Sequence, residues 1–217
     1  LSLRQSRLYV ADYFLDQVLV FSTDGRLLSR IAAAGGQPGQ LASPGGVDAD
    51  EQGQVYVADT YNHRVQVFDA QGELLRYWGG KGWGKGQFNY PTDVLVLADG
   101  RIAVADGYND RVQLFTDQGE YLHAWGGPLA MNIHGHFPGW FATVTAIDQQ
   151  ADGSLLVADF YNDRVQRFSL EGELLSIIEL PSAVPAHTAI AAASDAQGRI
   201  FVVDHARGQV HVWGAVQ

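Results

Sequence analysis

Short apolar runs, four to six residues long and rich in Val, Ile, Leu, Tyr and Phe, alternate along the whole chain with glycine-bearing polar turns. No stretch sustains a 3.6-residue period, so the runs read as strands rather than helices. The runs recur in register. Tyr9-Val10-Ala11-Asp12, Tyr56-Val57-Ala58-Asp59, Ala103-Val104-Ala105-Asp106, Leu156-Val157-Ala158-Asp159 and Phe201-Val202-Val203-Asp204 place their aspartates 47, 47, 53 and 45 residues apart. The third unit shows the pattern most plainly. Its strands are expected at 92–97, 101–105, 111–115 and 121–125, with turns at Asp99-Gly100 and Gln118-Gly119. A period in the forties built from four antiparallel strands describes the blade of a β-propeller. The expected fold class is all-β, with five four-stranded repeats: a five-bladed propeller, or an incomplete six-bladed one. The repeats are expected at about 1–36, 37–80, 81–127, 128–180 and 181–217, within one domain spanning 1–217.

Three of these units carry a longer signature. Asp59-Thr60-Tyr61-Asn62-His63-Arg64-Val65-Gln66-Val67-Phe68 is echoed from Asp106 to Phe115 and from Asp159 to Phe168. A glycine-rich connector, Trp78 to Phe88, precedes Pro91. These residues resemble the NHL-repeat β-propeller family. The first and fifth units lack the Asn and Arg pair. The resemblance implies an interaction platform, bacterial in type and placed outside the cytoplasm (periplasmic or extracellular). It also leaves an alternative, because some similar propellers are lyases, lactonases or hydrolases with a metal at the mouth of the channel.

The repeated Asp59, Asp106 and Asp159, with Asn62, Asn109 and Asn162 and with Arg64, Arg111 and Arg164, are expected to be structural, since identical copies in successive blades are what a fold requires. The aspartate receives backbone N–H groups, the asparagine takes a left-handed turn conformation, and the arginine pairs with a carboxylate. Phe21, Phe68, Phe115, Phe168 and Trp213 are expected between blades. On the inner strands, Asp48 and Asp148 are expected to serve the turns that follow them. Asp93 is a lone carboxylate near the channel, which is not a catalytic constellation.

Function is expected where the repeat breaks or where loops carry rings. One face presents Tyr13, Phe14, Tyr61, Tyr108, Phe160 and Tyr161 from the loops between second and third strands. Trp83, Tyr90, Trp140 and Phe141 come from the connectors between blades. The fourth connector, Pro128 to Ala142, accounts for the 53-residue spacing and holds His134 and His136. The binding residues read from the sequence are therefore Tyr13, Tyr61, Trp83, Tyr108, His134, His136, Trp140, Phe141 and Tyr161. The two imidazoles are weak metal candidates, because zinc would need a third ligand such as His63, His187 or His205. No catalytic residue and no cofactor is read, and the chain is expected to be non-catalytic.

Composition narrows the partners. The 217 residues include 24 acidic and 14 basic side chains, for a net charge of −10. That balance disfavours nucleic acid, whose binding runs on cationic contacts. The opposite face should be acidic, through Asp24, Asp50, Glu51, Asp69, Glu73, Asp99, Asp117, Asp152, Glu171, Glu173 and Asp195. Cysteine is absent, so there is no disulfide and no thiolate site. No apolar run reaches about 18 residues, so no transmembrane helix is expected. The expected partner is a protein, peptide or glycan, with the chain as a possible subunit of a larger complex.

Overall fold

The computed structural model describes residues 1–127, 133–181 and 189–214. Within them the chain forms β1 (Ser2–Arg4), β2 (Arg7–Asp12), β3 (Gln17–Ser22), β4 (Leu27–Ile31), β5 (Ala33–Ala34), β6 (Gln40–Leu41), β7 (Gly46–Ala49), β8 (Val55–Asp59), β9 (Arg64–Phe68), β10 (Leu74–Gly79), β11 (Pro91–Val96), β12 (Ile102–Asp106), β13 (Arg111–Phe115), β14 (Tyr121–Trp125), β15 (Val144–Gln149), β16 (Leu155–Asp159), β17 (Arg164–Phe168), β18 (Leu174–Glu179), β19 (Ala189–Ser194), β20 (Ile200–Asp204) and β21 (Gln209–Trp213). They make four antiparallel sheets of four strands, one of three (β19 to β21), and a small parallel pair β5–β6. Each large sheet follows chain order, the meander of a propeller blade.

The chain divides into two compact units: Leu1–Asp106 with Gln113–His123, and Gly107–Val112 with Ala124–Gln217. In the first unit, β8 and β9 are buried on both faces, whereas β10 alternates half-buried and exposed. The middle strands therefore have no solvent side, and the polar residues of β9, Arg64 and Gln66, are buried with the rest. Tyr9, Val18, Ile31, Val47, Val57 and Phe68 close one core. Tyr56, Val65, Phe88, Val104 and Phe115 close another, with Phe115 meeting Phe88 and Trp78 at centroid distances of 5.6 and 5.7 Å. In the second unit, Leu156, Val165, Ile200 and Val202 do the same for the last two sheets. Phe68, Phe115 and Phe168 are thus core residues, as the repeat implies.

The repeated polar residues build a buried clasp. Asp59 accepts the Ala42 N–H at 2.8 Å, Asn62 Nδ2, Arg64 Nε at 2.8 Å and Gln66 Nε2 at 3.0 Å. Arg64 Nη2 donates onward to the carbonyls of Gln37 and Gln40, and Gln66 holds the Gly39 N–H and the Gln40 carbonyl. The second unit repeats the set. Asp159 takes the Ala142 N–H, Asn162, Arg164 and Gln166, while Arg164 holds the Phe137 and Trp140 carbonyls. Burying an ion pair costs solvation, and the surrounding donors offset that cost. The clasp ties the end of one blade's second strand to the connector arriving from the blade before.

Three expectations are corrected here. The left-handed residues are His63, Asp110 and Asp163 (φ 54°, 52° and 51°), one place after the asparagines. The Asn62 and Asn162 amides are instead spent on the aspartate and on the Gly35 and Gly135 carbonyls. Asp48 does not cap its turn. It receives Arg4 Nε at 3.0 Å, Arg4 Nη2 at 2.9 Å, the Ser2 hydroxyl and the Val96 N–H, so it links three inner strands. Asp148 likewise accepts the Ser194 N–H at 2.7 Å. The acidic turns, in contrast, serve themselves: Asp50, Asp69 and Asp195 each accept two N–H groups of their own turn.

Removing the buried carboxylate tests the clasp. Asp159→Ala leaves Arg164 buried without its ion partner and should cost about 3–5 kcal/mol in denaturant unfolding. A loss below about 1 kcal/mol, the range of exposed pairs, would contradict the clasp.

Candidate functional site

The connectors between blades share one geometry. The Gly35, Gly82 and Gly135 N–H groups donate to the carbonyls of Leu41, Phe88 and Phe141. The side chains of Gln40 and Gln87 lie over the glycines in the first two, and Trp140 lies over the third. Residues 135–142 are therefore the standard connector, and the additional residues of the fourth one lie before Gly135. Of the stretch expected from Pro128 to Ala142, residues 128–132 lie outside the described residues. Phe141 occupies the core place of Leu41 and Phe88, with 0% exposure and its ring 5.5 Å from Phe168. It is a packing residue, so its assignment to a binding surface is corrected. Gly126 serves the same region. At φ +125°, a Cβ there would lie 2.5 Å from the Asp110 carbonyl, an approach only glycine avoids.

A second set of hydrogen bonds runs from each loop to the next connector. Asp16 accepts the Ser43 N–H at 2.6 Å, His63 Nδ1 the Tyr90 N–H at 3.1 Å, and Asp110 the Thr143 N–H at 2.7 Å. Donor and acceptor residues are left-handed in all three. No feature of the sequence pattern announced this latch, although Asp and His at one repeat position were its trace.

In the first unit, Tyr13, Phe14 and Tyr61 are exposed, and Phe14 reaches 89%. Their rings meet edge to face: Tyr13 with Phe14 at 5.3 Å, Tyr13 with Tyr61 at 6.2 Å, and Tyr61 with Tyr90 at 5.2 Å. His63 lies 4.5 Å from Tyr90 and ends the row. Trp83 is exposed on its connector.

In the second unit, Tyr108, Asp110, His134, Ala142, Thr143 and Tyr161 line a cavity of about 360 Å³. The sequence-predicted Tyr108, His134 and Tyr161 come together here. Asp110 keeps only 8% of its side chain exposed, and burial pushes its carboxyl above the usual carboxylate range, opposed by the Thr143 N–H and by His134. His134 is 82% exposed, with Nδ1 4.0 Å from Asp110 Oδ2. His136 goes elsewhere and stacks on Phe137 at 4.7 Å. Trp140 is half-buried, its ring 5.1 Å from Phe137. Among the described residues, no group of three His, Asp or Glu side chains is arranged to hold a metal ion. His187 lies outside the described residues.

With the geometry in place, comparison with known proteins identifies the class. A family model of the NHL repeat matches residues 41–68 and 88–115, each running from the end of a connector through the third strand of its blade. The fold is a β-propeller, and two of its repeats match the NHL model. No curated protein matches it. Among solved structures, the fold is similar to a streptogramin B lyase, with a TM-score of 0.70 and 14% identity over 100% of this chain and 67% of that one. It is also similar to the WD40 propeller domain of Doa1, with a TM-score of 0.73 and 14% identity over 99% of this chain and 62% of that one. A Bacteroides thetaiotaomicron protein of unknown function follows, with a TM-score of 0.70 and 17% identity over 96% of this chain and 56% of that one. These likenesses establish the fold. The described residues contain no helix long and apolar enough to cross a membrane.

Two outcomes test the assignments. Phe141→Ala should cost about 3–5 kcal/mol in denaturant unfolding, the range for a buried aromatic. A loss within about 0.5 kcal/mol, typical of surface substitutions, would return Phe141 to the surface. His63 supplies a pH test. Burial, and then the charge of Lys81, hold its pKa below the usual value, while Asp59 opposes them. The unfolded chain therefore takes the proton first. Stability present above the unfolded pKa is lost as pH falls from about 6.5 through the folded value. His63→Asn keeps a side chain suited to the left-handed region and should lose less stability between about pH 7 and pH 5. Identical pH profiles for variant and parent would contradict the lowered pKa of His63.

Proposed function

We propose that this propeller is a non-catalytic binding module that holds a protein or peptide on its aromatic loops. The exposed rings of Phe14, Tyr13 and Tyr61, continued by the half-buried Tyr90, carry this reading. Rings in continuous edge-to-face contact fix one another's positions at little entropic cost, and the phenols keep a polar handle. A preformed amphipathic surface of this kind suits an interface core. Contiguous exposed apolar surface also marks interaction sites. The clasp and latch hold the loops beneath, so the rings stand on a rigid support.

The likeness to a lyase supplies the competing reading, an enzyme with a metal at the channel mouth. The inner strands offer it little. Asp48 is consumed by Arg4 and Val96, Asp148 by Ser194, and Asp93 Oδ1 accepts its own neighbour's N–H.

Native mass spectrometry of the untreated protein from its natural source separates the two. The binding reading expects a retained polypeptide, lost at least tenfold in a Phe14→Ala/Tyr61→Ala double variant whose melting temperature stays within a few degrees. Retention unchanged in that variant would overturn the aromatic row as the binding surface. One equivalent of bound Zn, Cu or Ni without a polypeptide would favour the enzyme, and a retained oligosaccharide would replace the protein partner.

A further inference from the structure

The cavity of the second unit lies at a latch whose connector residue is small. The first unit has two latches: Asp16 with the small Ser43, and His63 with Tyr90, whose ring fills the space beside Tyr61 and His63 at 5.2 and 4.5 Å. The corresponding residue in the second unit is Thr143, and the corresponding latch acceptor is Asp110. A small side chain stands where the ring would be, and a carboxylate where the imidazole would be. The difference leaves about 360 Å³ between Tyr108 and Tyr161, inside the range of about 300–1,000 Å³ for ligand pockets. Thr143 also holds φ 62°, a conformation that β-branched residues avoid. Strain of this kind persists where the surroundings impose it, often at working sites.

The chemistry of the walls selects the occupant. Asp110 Oδ1 is engaged by the Thr143 N–H, and Oδ2 faces His134 Nδ1 across 4.0 Å, beyond hydrogen-bond distance. The carboxylate therefore presents an acceptor into the cavity from a side chain that is over nine-tenths buried. Two phenol rings line the same space. A carboxylate with aromatic walls attracts a cation twice, through charge and through the ring faces. The chain's net charge of −10 adds a field that draws basic partners.

We propose that this pocket takes a lysine side chain of a basic peptide or protein segment, with its ammonium on Asp110 Oδ2 and its methylene stem between Tyr108 and Tyr161. His134, mostly exposed, stands at the carboxylate and moves aside for the ligand. The proposal deepens the binding reading and rests on it.

The test is an NMR titration of the full chain with an acetylated, amidated Gly-Gly-Lys-Gly-Gly peptide, against the same peptide with its lysine acetylated on Nε. The lysine peptide should shift the Asp110 and Thr143 amide signals saturably, and the acetylated one should bind at least tenfold more weakly. Thr143→Tyr places a ring in the space, at a repeat position where Tyr90 holds the same left-handed backbone, and should abolish the shifts. Asp110→Asn keeps an acceptor for the Thr143 N–H and should weaken binding at least tenfold. Unfolding of each variant is monitored in the same spectra, so a misfolded variant leaves the other to decide. Equal binding of charged and neutral peptides, full binding by a folded Thr143→Tyr protein, or no shift with either peptide would overturn the proposal. Loss of the natural partner in the Phe14→Ala/Tyr61→Ala variant, with retention in Thr143→Tyr, would refute the lysine pocket alone. Retention in both would refute the aromatic-row reading as well.

Discussion

A buried carboxylate surrounded by donors from two blades is the constraint on which the rest depends. Asp59 and Asp159 each gather a connector N–H, an asparagine, an arginine and a glutamine of their own blade. Each bond alone is modest, but the arginine and glutamine reach on to carbonyls of the incoming connector. The clasp thus converts a glycine-rich connector, which would otherwise be free to wander, into a fixed surface. Removing any member leaves charged or polar groups buried without partners, which is why the set recurs as a unit.

This arrangement separates structural from functional chemistry. Residues that repeat are spent on the clasp and the cores between sheets. Residues that vary at fixed places do the presenting. His63 with Tyr90 makes a filled corner, and Asp110 with Thr143 makes an open one, although both pairs hold the same hydrogen bond. The scaffold can change what it displays at a corner without changing how the corner is held.

Much of this was legible in the sequence. Alternation and the spaced aspartates marked the strands, the five repeats and the structural role of the Asp–Asn–Arg set, because those properties are local. What was not legible depends on register between distant segments. The glutamines Gln66 and Gln166 carry no local sign of their task, which only the connector carbonyls 26 residues earlier reveal. Phe141 looked like part of a loop insertion until the Gly135–Phe141 bond aligned it with Leu41 and Phe88. The left-handed residue was misplaced by one, since Asn and Asp both tolerate that conformation and only the side-chain bonds decide between them. Asp48 joins strands whose residues lie 44 and 48 positions away, beyond the reach of a turn-based reading.

The proposed lysine site is the corner formed by Tyr108, Asp110, Thr143 and Tyr161, which supplements the aromatic row. A crystal structure of the chain grown with the lysine pentapeptide tests it most directly. The account predicts density for the lysine stem between the two tyrosine rings, with its ammonium within hydrogen-bond distance of Asp110 Oδ2 and His134 displaced. Peptide density over the aspartate-capped turns of Asp50, Asp69 or Asp195, with the Asp110 corner unchanged, would contradict it.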